Sequence, residues 1–217
     1  MSGIRRYRPG DEDALVQVCV RTADAGGDAT GLLPDDRLWA DLFVLPYVAR
    51  HPELAFVVAA EDGRVTGYVV GAPDTAAFEA WFRDHWWPER AARYAAEATG
   101  AEGSADGVPA LGPRDQEAGR RRRDDLLRYA AGRGRASRSD AAAYPAHLHI
   151  DLLPELQGQG WGRRLIETLL DALREAGVPG VHLVAGEDNA GALAFYPRVG
   201  FAPLPSEPGS RAFGRTL

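Results

Sequence analysis

The segment HLHIDLLPELQGQGWGRRLIETLLDAL, residues 147–173, changes hydrophobic period once, and that change most limits the folds open to this chain. Leu148, Ile150 and Leu152 alternate with His147, His149 and Asp151, so a strand sends an apolar set to one face and a polar set to the other. Leu165, Leu169, Ala172 and Ala176 then recur every three or four residues, the spacing of a helix stripe. Gly158, Gly160 and Gly162 sit at the junction. A strand that feeds a helix through glycines leaves the first helical N–H groups directed at one spot, where the helix dipole also favours negative charge. That is a cradle for a pyrophosphate, although glycine also permits tight packing of strand on helix.

The rest of the chain builds a layered fold around this unit. Residues 4–8 predict a strand, and Asp11 predicts a cap for a helix carrying Leu15, Val18 and Cys19, with Val16 and Val20 widening its stripe. Residues 34–50 predict one helix with Leu38, Leu42 and Leu45 on a face, and 54–60 and 65–71 predict strands closed by the Asp62-Gly63 turn. Residues 73–145 break the rhythm: Phe78, Trp81, Phe82 and Trp86 fall at helical spacing, Tyr94 extends a second helical piece, 98–113 is a Gly/Ala/Pro-rich loop, and 114–131 is a third helical piece. Strand, helix, strand and helix resume from His147, over 147–152, about 160–176, 181–185 and about 189–199, with terminal strands around Phe201 and Phe213. Alternating elements with a hairpin in front predict a single α/β domain over residues 1–217, with a mixed sheet and a helical insertion at about 73–145.

Composition narrows the partners. A net charge of −6 and a pI near 5.4 argue against a general nucleic-acid binder. No apolar run approaches the ~18 residues of a membrane span, and the opening MSGIRRYRPGDED lacks the apolar core of a leader, so a cytoplasmic chain without a membrane partner is expected. The lone Cys19 rules out an internal disulfide framework and a cysteine metal cluster, and no metal is expected. Every basic residue is arginine, a bias in keeping with a GC-rich bacterial genome.

The glycine stretch is not a P-loop, because no Lys-Ser/Thr follows it, and it does not fit G-x-G-x-x-G. It fits Q/R-x-x-G-x-G/A with Gln157, Gly160 and Gly162 in place. Further on, NAGALAFYPRVGF fits N-x-x-A-x-x-F-Y-x-x-x-G-F at Asn189, Ala192, Phe195, Tyr196, Gly200 and Phe201. Together these resemble the two signatures of the GCN5-related N-acetyltransferase (GNAT) family. Residues 67–94 and the ending GRTL are similar to the acetyltransferase-like C-terminal domain of eukaryotic O-GlcNAcase, whose vertebrate form has degenerate coenzyme A-binding residues where this chain keeps Gln157, Gly160 and Gly162.

The resemblance implies a GNAT fold: a central, mixed, largely antiparallel sheet flanked by helices, with strands four and five splayed beside a bulge. It implies acetyl-CoA as cofactor, its pantetheine arm bonding backbone at Ile150 and Leu152 and its pyrophosphate meeting Gln157, Gly158, Gln159, Gly160, Gly162 and Arg163. Asn189, Ala192 and Tyr196 share a helix face that can line the groove. Transfer needs a neutral amine, an N–H near Leu152 for the oxyanion, and an acid for the departing thiolate. Tyr196 is the expected acid; Asp151, then His149, the expected base, with a water chain as an alternative. Trp86 and Trp87, at a helix break expected at Trp86-Trp87-Pro88, and His147 are candidate substrate contacts, and 120–123 reads as a solvated arginine face. Cys19, on the first helix, is expected to lie far from the thioester, which favours direct attack in a ternary complex. The expected function is N-acetylation of a small-molecule amine or a peptide; the alternative is a non-catalytic module binding coenzyme A or a peptide. A homodimer stays open.

Overall fold

The computed structural model describes residues 2–99, 113–135 and 140–217, so most of the loop expected at 98–113 lies outside the described residues. One seven-stranded sheet runs in the order β1-β2-β3-β4-β5-β7-β6. Its strands are β1 (Gly3–Arg6), β2 (Ala55–Ala59), β3 (Val65–Ala72), β4 (Ala146–Leu152), β5 (Gly180–Gly186), β6 (Ala202–Leu204) and β7 (Ser210–Thr216). Every neighbouring pair is antiparallel except β4 and β5. This is the mixed, mostly antiparallel α/β sheet expected from the sequence.

Helices divide between the two faces. One side carries α1 (Glu12–Val20), α2 (Arg37–Phe43), α3 (Leu45–Arg50), α4 (Thr75–Trp81), α5 (Trp87–Thr99) and α6 (Pro113–Gly132), whose core includes Leu15, Leu38, Tyr68 and Phe78. On the other side α7 (Trp161–Glu175) and α8 (Ala190–Arg198) bury Leu165, Leu169 and Tyr196 against Val69, Leu148 and Leu183. With both faces covered, β3 is buried along its whole length. That accounts for its lack of alternation, with apolar or small residues on both faces and Thr66 bonded to the Val58 carbonyl.

The helix expected over 34–50 is two helices. The break is at Val44, whose φ of −133° leaves the helical region, two residues before Pro46. Pro46 has no N–H to bond the Leu42 carbonyl and its ring would crowd that carbonyl, so the first helix ends before it and the proline sits in the first turn of the second. Between α4 and α5 the chain does not break at Trp86-Trp87-Pro88 as the sequence suggested. It passes through a π-helical stretch, Phe82–Trp86, and Pro88 follows directly in the first turn of α5.

Two buried charges fasten these helices to the sheet domain. Arg133 donates to both carboxylate oxygens of Glu79 and to the Leu42 carbonyl, and its guanidinium lies 3.9 Å from the Phe82 ring centre. Asp41, 1% exposed, accepts from Arg93 and the Tyr94 hydroxyl.

Candidate active site

β4 and β5 pair only at Ala146↔Val181 and His147↔His182, after which they diverge. On its other side β4 stays in continuous register with β3 from Gly67↔Leu152 to Ala72↔His147. The bulge expected beside the splay is therefore not in β4; the register shift in this half of the sheet falls at Val58/Ala59 of β2. The Leu153 N–H donates to the Thr66 carbonyl at 3.1 Å, and antiparallel alternation then turns the N–H and C=O of Leu152 and Ile150 away from β3, into the splay. The Leu152 carbonyl accepts from Gln157 Nε2 at 3.1 Å, as that orientation requires.

The glycine turn closes the end of this gap. Gly158 and Gly160 take φ of +73° and +80°, left-handed values that side chains disfavour, and Gly160 is the N-cap of α7. Gly162 is needed for another reason: a Cβ there would lie 3.1 Å from Cζ of Phe195 and 3.3 Å from Cδ1 of Leu152. The N-terminal amides of α7 thus face the splayed edge. Asn189 caps α8 by accepting from the Ala192 N–H at 2.9 Å, which explains why the second motif pairs Asn with a residue three positions on.

Between these elements lies a cavity of about 520 Å³. Of the residues predicted from the sequence, Ile150, Asp151, Leu152, Gln157, Gly158, Gly160, Gly162, Arg163, Asn189, Ala192 and Tyr196 line it. Gln159 instead donates to the Glu155 carbonyl, and Arg163, while lining the cavity, also donates to the Arg198 carbonyl at the end of α8. Thr22, Ala25 and Gly26, which follow α1, and Trp161 and Phe195 are among the further lining residues and were not singled out as cofactor contacts beforehand. Ala25 and Gly26 lie in a Gly/Asp-rich stretch, 24–31, while Thr22 precedes it and carries no such signal.

Trp86, Trp87, His147 and His149 are not among the lining residues; His149 reaches the site through Asp151. Trp86 donates its Nε1–H to the Asp41 carbonyl and stacks under Arg90, and Trp87 packs on Phe82 and Tyr94. His147 bonds Thr75 Oγ1 and sits edge-on to Tyr47 and Phe78. Burial, with His182 nearby, holds it well below the ordinary histidine range, so it is neutral.

Asp151 is the hub of the site's electrostatics. It accepts from the Tyr68 hydroxyl at 2.5 Å and lies 3.1 Å from His149 Nε2. Burial alone would raise this carboxyl, but the facing His149 and the hydrogen bonds of His149, Tyr68 and Thr22 outweigh it and hold the group below the usual carboxylate range. Tyr196 is pushed far above the ordinary phenol value by burial and by the Asp151 charge, so it keeps its proton. Its ring is fixed by Phe201 and Phe213. The expectation that Cys19 lies far from the site is corrected here: its sulfur and ligand atoms of His149 and Asp151 all lie within 4.8 Å of one another. One helix turn separates Cys19 from Thr22, so α1 delivers both to the end of β4. Burial and the Asp151 carboxylate raise the thiol well above its usual value, and it stays protonated and non-nucleophilic.

Comparison with known proteins fits this arrangement. The profile of the Acetyltransferase (GNAT) family matches residues 122–201. A solved structure, that of SsHAT, is 40% identical with a TM-score of 0.80, covering 99% of this chain and 98% of its own. The N-alpha-acetyltransferase RimI of Mycobacterium tuberculosis is 42% identical over 41% of this chain and 53% of its own length. The mycothiol acetyltransferase of Nocardiopsis dassonvillei is 49% identical over 23% of this chain and only 15% of its own. The chain thus matches about half, or less, of these two curated relatives.

Proposed function

Since the chain belongs to the GNAT acetyltransferase family, we propose that it transfers an acetyl group from acetyl-CoA to an amine, by direct attack within a ternary complex. The observation that carries this reading is the cavity itself, which gathers an open strand edge, a left-handed glycine turn at a helix N-terminus, Asp151 and Tyr196. Those features fit acetyl-CoA: edge amides for an extended amide-bearing arm, helix amides for a pyrophosphate, and no Cβ at Gly162 to fill the approach. When bound, acetyl-CoA supplies an activated thioester carbonyl.

The chain's own residues divide the remaining work. Ile150 and Leu152 hold the arm through backbone groups, and the Leu152 N–H stabilises negative charge on the carbonyl oxygen. The His149–Asp151 pair takes the proton of the incoming amine. Asp151, held ionised by its donors, is the weaker proton acceptor; it orients His149 through Nε2, and an imidazole is the side chain suited to accept a proton near neutral pH. Tyr196, still protonated, donates toward the departing sulfur and is reprotonated from solvent.

Within the family we place the chain near the acetyltransferase-like C-terminal domain of O-GlcNAcase, on residues 67–94 and the terminal GRTL. Because the glycine turn is complete here, a catalytic reading is favoured over a non-catalytic coenzyme A-binding module. Calorimetric titration with acetyl-CoA, followed by assay of free thiol with and without amine, separates the two. Binding with amine-dependent thiol release supports the transferase, and binding with no release from any small amine or peptide supports the module.

A further inference from the structure

The face of the splay on the α1–α6 side carries a pattern that cofactor binding does not use. Tyr129 of α6 and Val184 of β5 are the exposed large hydrophobics of the described residues, at 51% and 56%. Strand alternation puts Val184 on the face that carries His149, and ring contacts lead from Tyr129 to His149. His147 and His182 are register partners with rings 5.9 Å apart, so the next residues on that face are His149 on β4 and Val184 on β5, where the strands have begun to part. On the β4 side the Tyr129 ring stacks on Phe43 with centres 5.8 Å apart, and Phe43 stacks on His149 at 5.7 Å. His149 in turn meets Asp151. An aromatic wall therefore leads from solvent to the proton-accepting pair, with an apolar residue facing it across the gap.

Resting on the acyltransferase reading above, we propose that this wall is the acceptor subsite, and that the acceptor is a small primary amine borne on a short arm from an aromatic ring. Its ammonium is drawn to the ionised Asp151 beside His149. Its ring lies against Tyr129 and Phe43, with Val184 closing the other side. Among the described residues, the acid that acts on Tyr129 is Glu79, and Arg133 holds it through Nε and Nη2, so it is not available to a second cation such as a diamine would bring. The helical segment between β3 and β4 would then set acceptor choice through Tyr129, while the cofactor cleft is built by β4, α7 and α8.

The test compares kcat/KM for 2-phenylethylamine and tyramine with that for n-butylamine, putrescine and a lysine-containing peptide, followed by thiol release at saturating acetyl-CoA. The aryl amines are expected to exceed the others by roughly tenfold or more. Tyr129→Ala and Val184→Ser, both at exposed positions, should each reduce that preference several-fold through KM while the calorimetric Kd for acetyl-CoA stays unchanged. Equal kcat/KM across the panel, a preference for putrescine or peptide, silence of the aryl amines with acetyl-CoA bound, or an aryl preference that survives both substitutions overturns the assignment. Absence of acetyl-CoA binding would instead remove the acyltransferase reading beneath it.

Discussion

Replacing Asp151 by Asn keeps the shape of the side chain and removes its charge, which tests whether Asp151 is the electrostatic centre of the site. The carboxylate accepts from Tyr68 and meets His149, and hydrogen bonds to an ionised group contribute about 1.5–3 kcal/mol each against 0.5–1.5 for neutral ones. Converting two charge-assisted bonds to neutral ones therefore lowers stability by about 2–3 kcal/mol. The pH dependence has a definite sign. A carboxyl whose folded pKa lies below its unfolded value of about 3.9 contributes stability above that pH and loses it as pH falls through the folded value. Urea denaturation of both proteins should show a constant gap between pH 8 and 5 that narrows below about pH 4. Turnover should fall by on the order of 10²–10⁴, because the amide no longer orients His149 as a carboxylate does. Coincident unfolding midpoints at pH 7, or a gap that widens on acidification, would refute the reasoning.

Three further outcomes follow from the same geometry. Tyr196→Phe keeps the ring contacts with Phe201 and Phe213, so steady-state assays should show turnover down by about 10²-fold and calorimetry an acetyl-CoA affinity nearly unchanged. Gly160→Ala forces a side chain into φ +80°, with about 1–2 kcal/mol of strain, and re-aims the first α7 amides; calorimetry should show acetyl-CoA binding weakened at least several-fold, where unaltered affinity would count against the cradle. Arg133→Met leaves the Glu79 carboxylate, 15% exposed, without its guanidinium and should destabilise the fold by about 3 kcal/mol in chemical denaturation, with part recovered in the double variant carrying Glu79→Gln.

The parts legible in the sequence were those whose physics is local. The period change around Gly160 needs only neighbouring residues to specify strand, turn and helix, and the structure places β4 and α7 within a residue or two of the expected bounds. Pro46 was a local signal too, outweighed by the leucines spaced over 34–50; its missing N–H is tolerated in a first turn and not in mid-helix, and two helices result. Contacts between distant residues were not legible. Nothing near Asp151 announces Tyr68, a partner 83 residues away, and the position of Cys19 at the site depends on how α1 crosses β3 and β4. Trp86 and Trp87 were pocket candidates as aromatics at an expected helix break, but the π-helical turn carries the chain through and buries Trp87 on Phe82. Hydrophobic spacing gives no warning of such a turn, since its cause is one extra residue accommodated within a helix.

The most direct measurement is a single turnover: protein mixed with one equivalent of acetyl-CoA and an excess of 2-phenylethylamine or a lysine peptide, with free thiol and acetylated amine both quantified by mass spectrometry. Equal amounts of thiol and acetylated amine, formed only when amine is present, are the predicted result. Acetyl-CoA bound in the cavity yet recovered intact with every acceptor, or thiol released without any acetylated amine, would contradict the claim that Asp151, His149 and Tyr196 serve acetyl transfer.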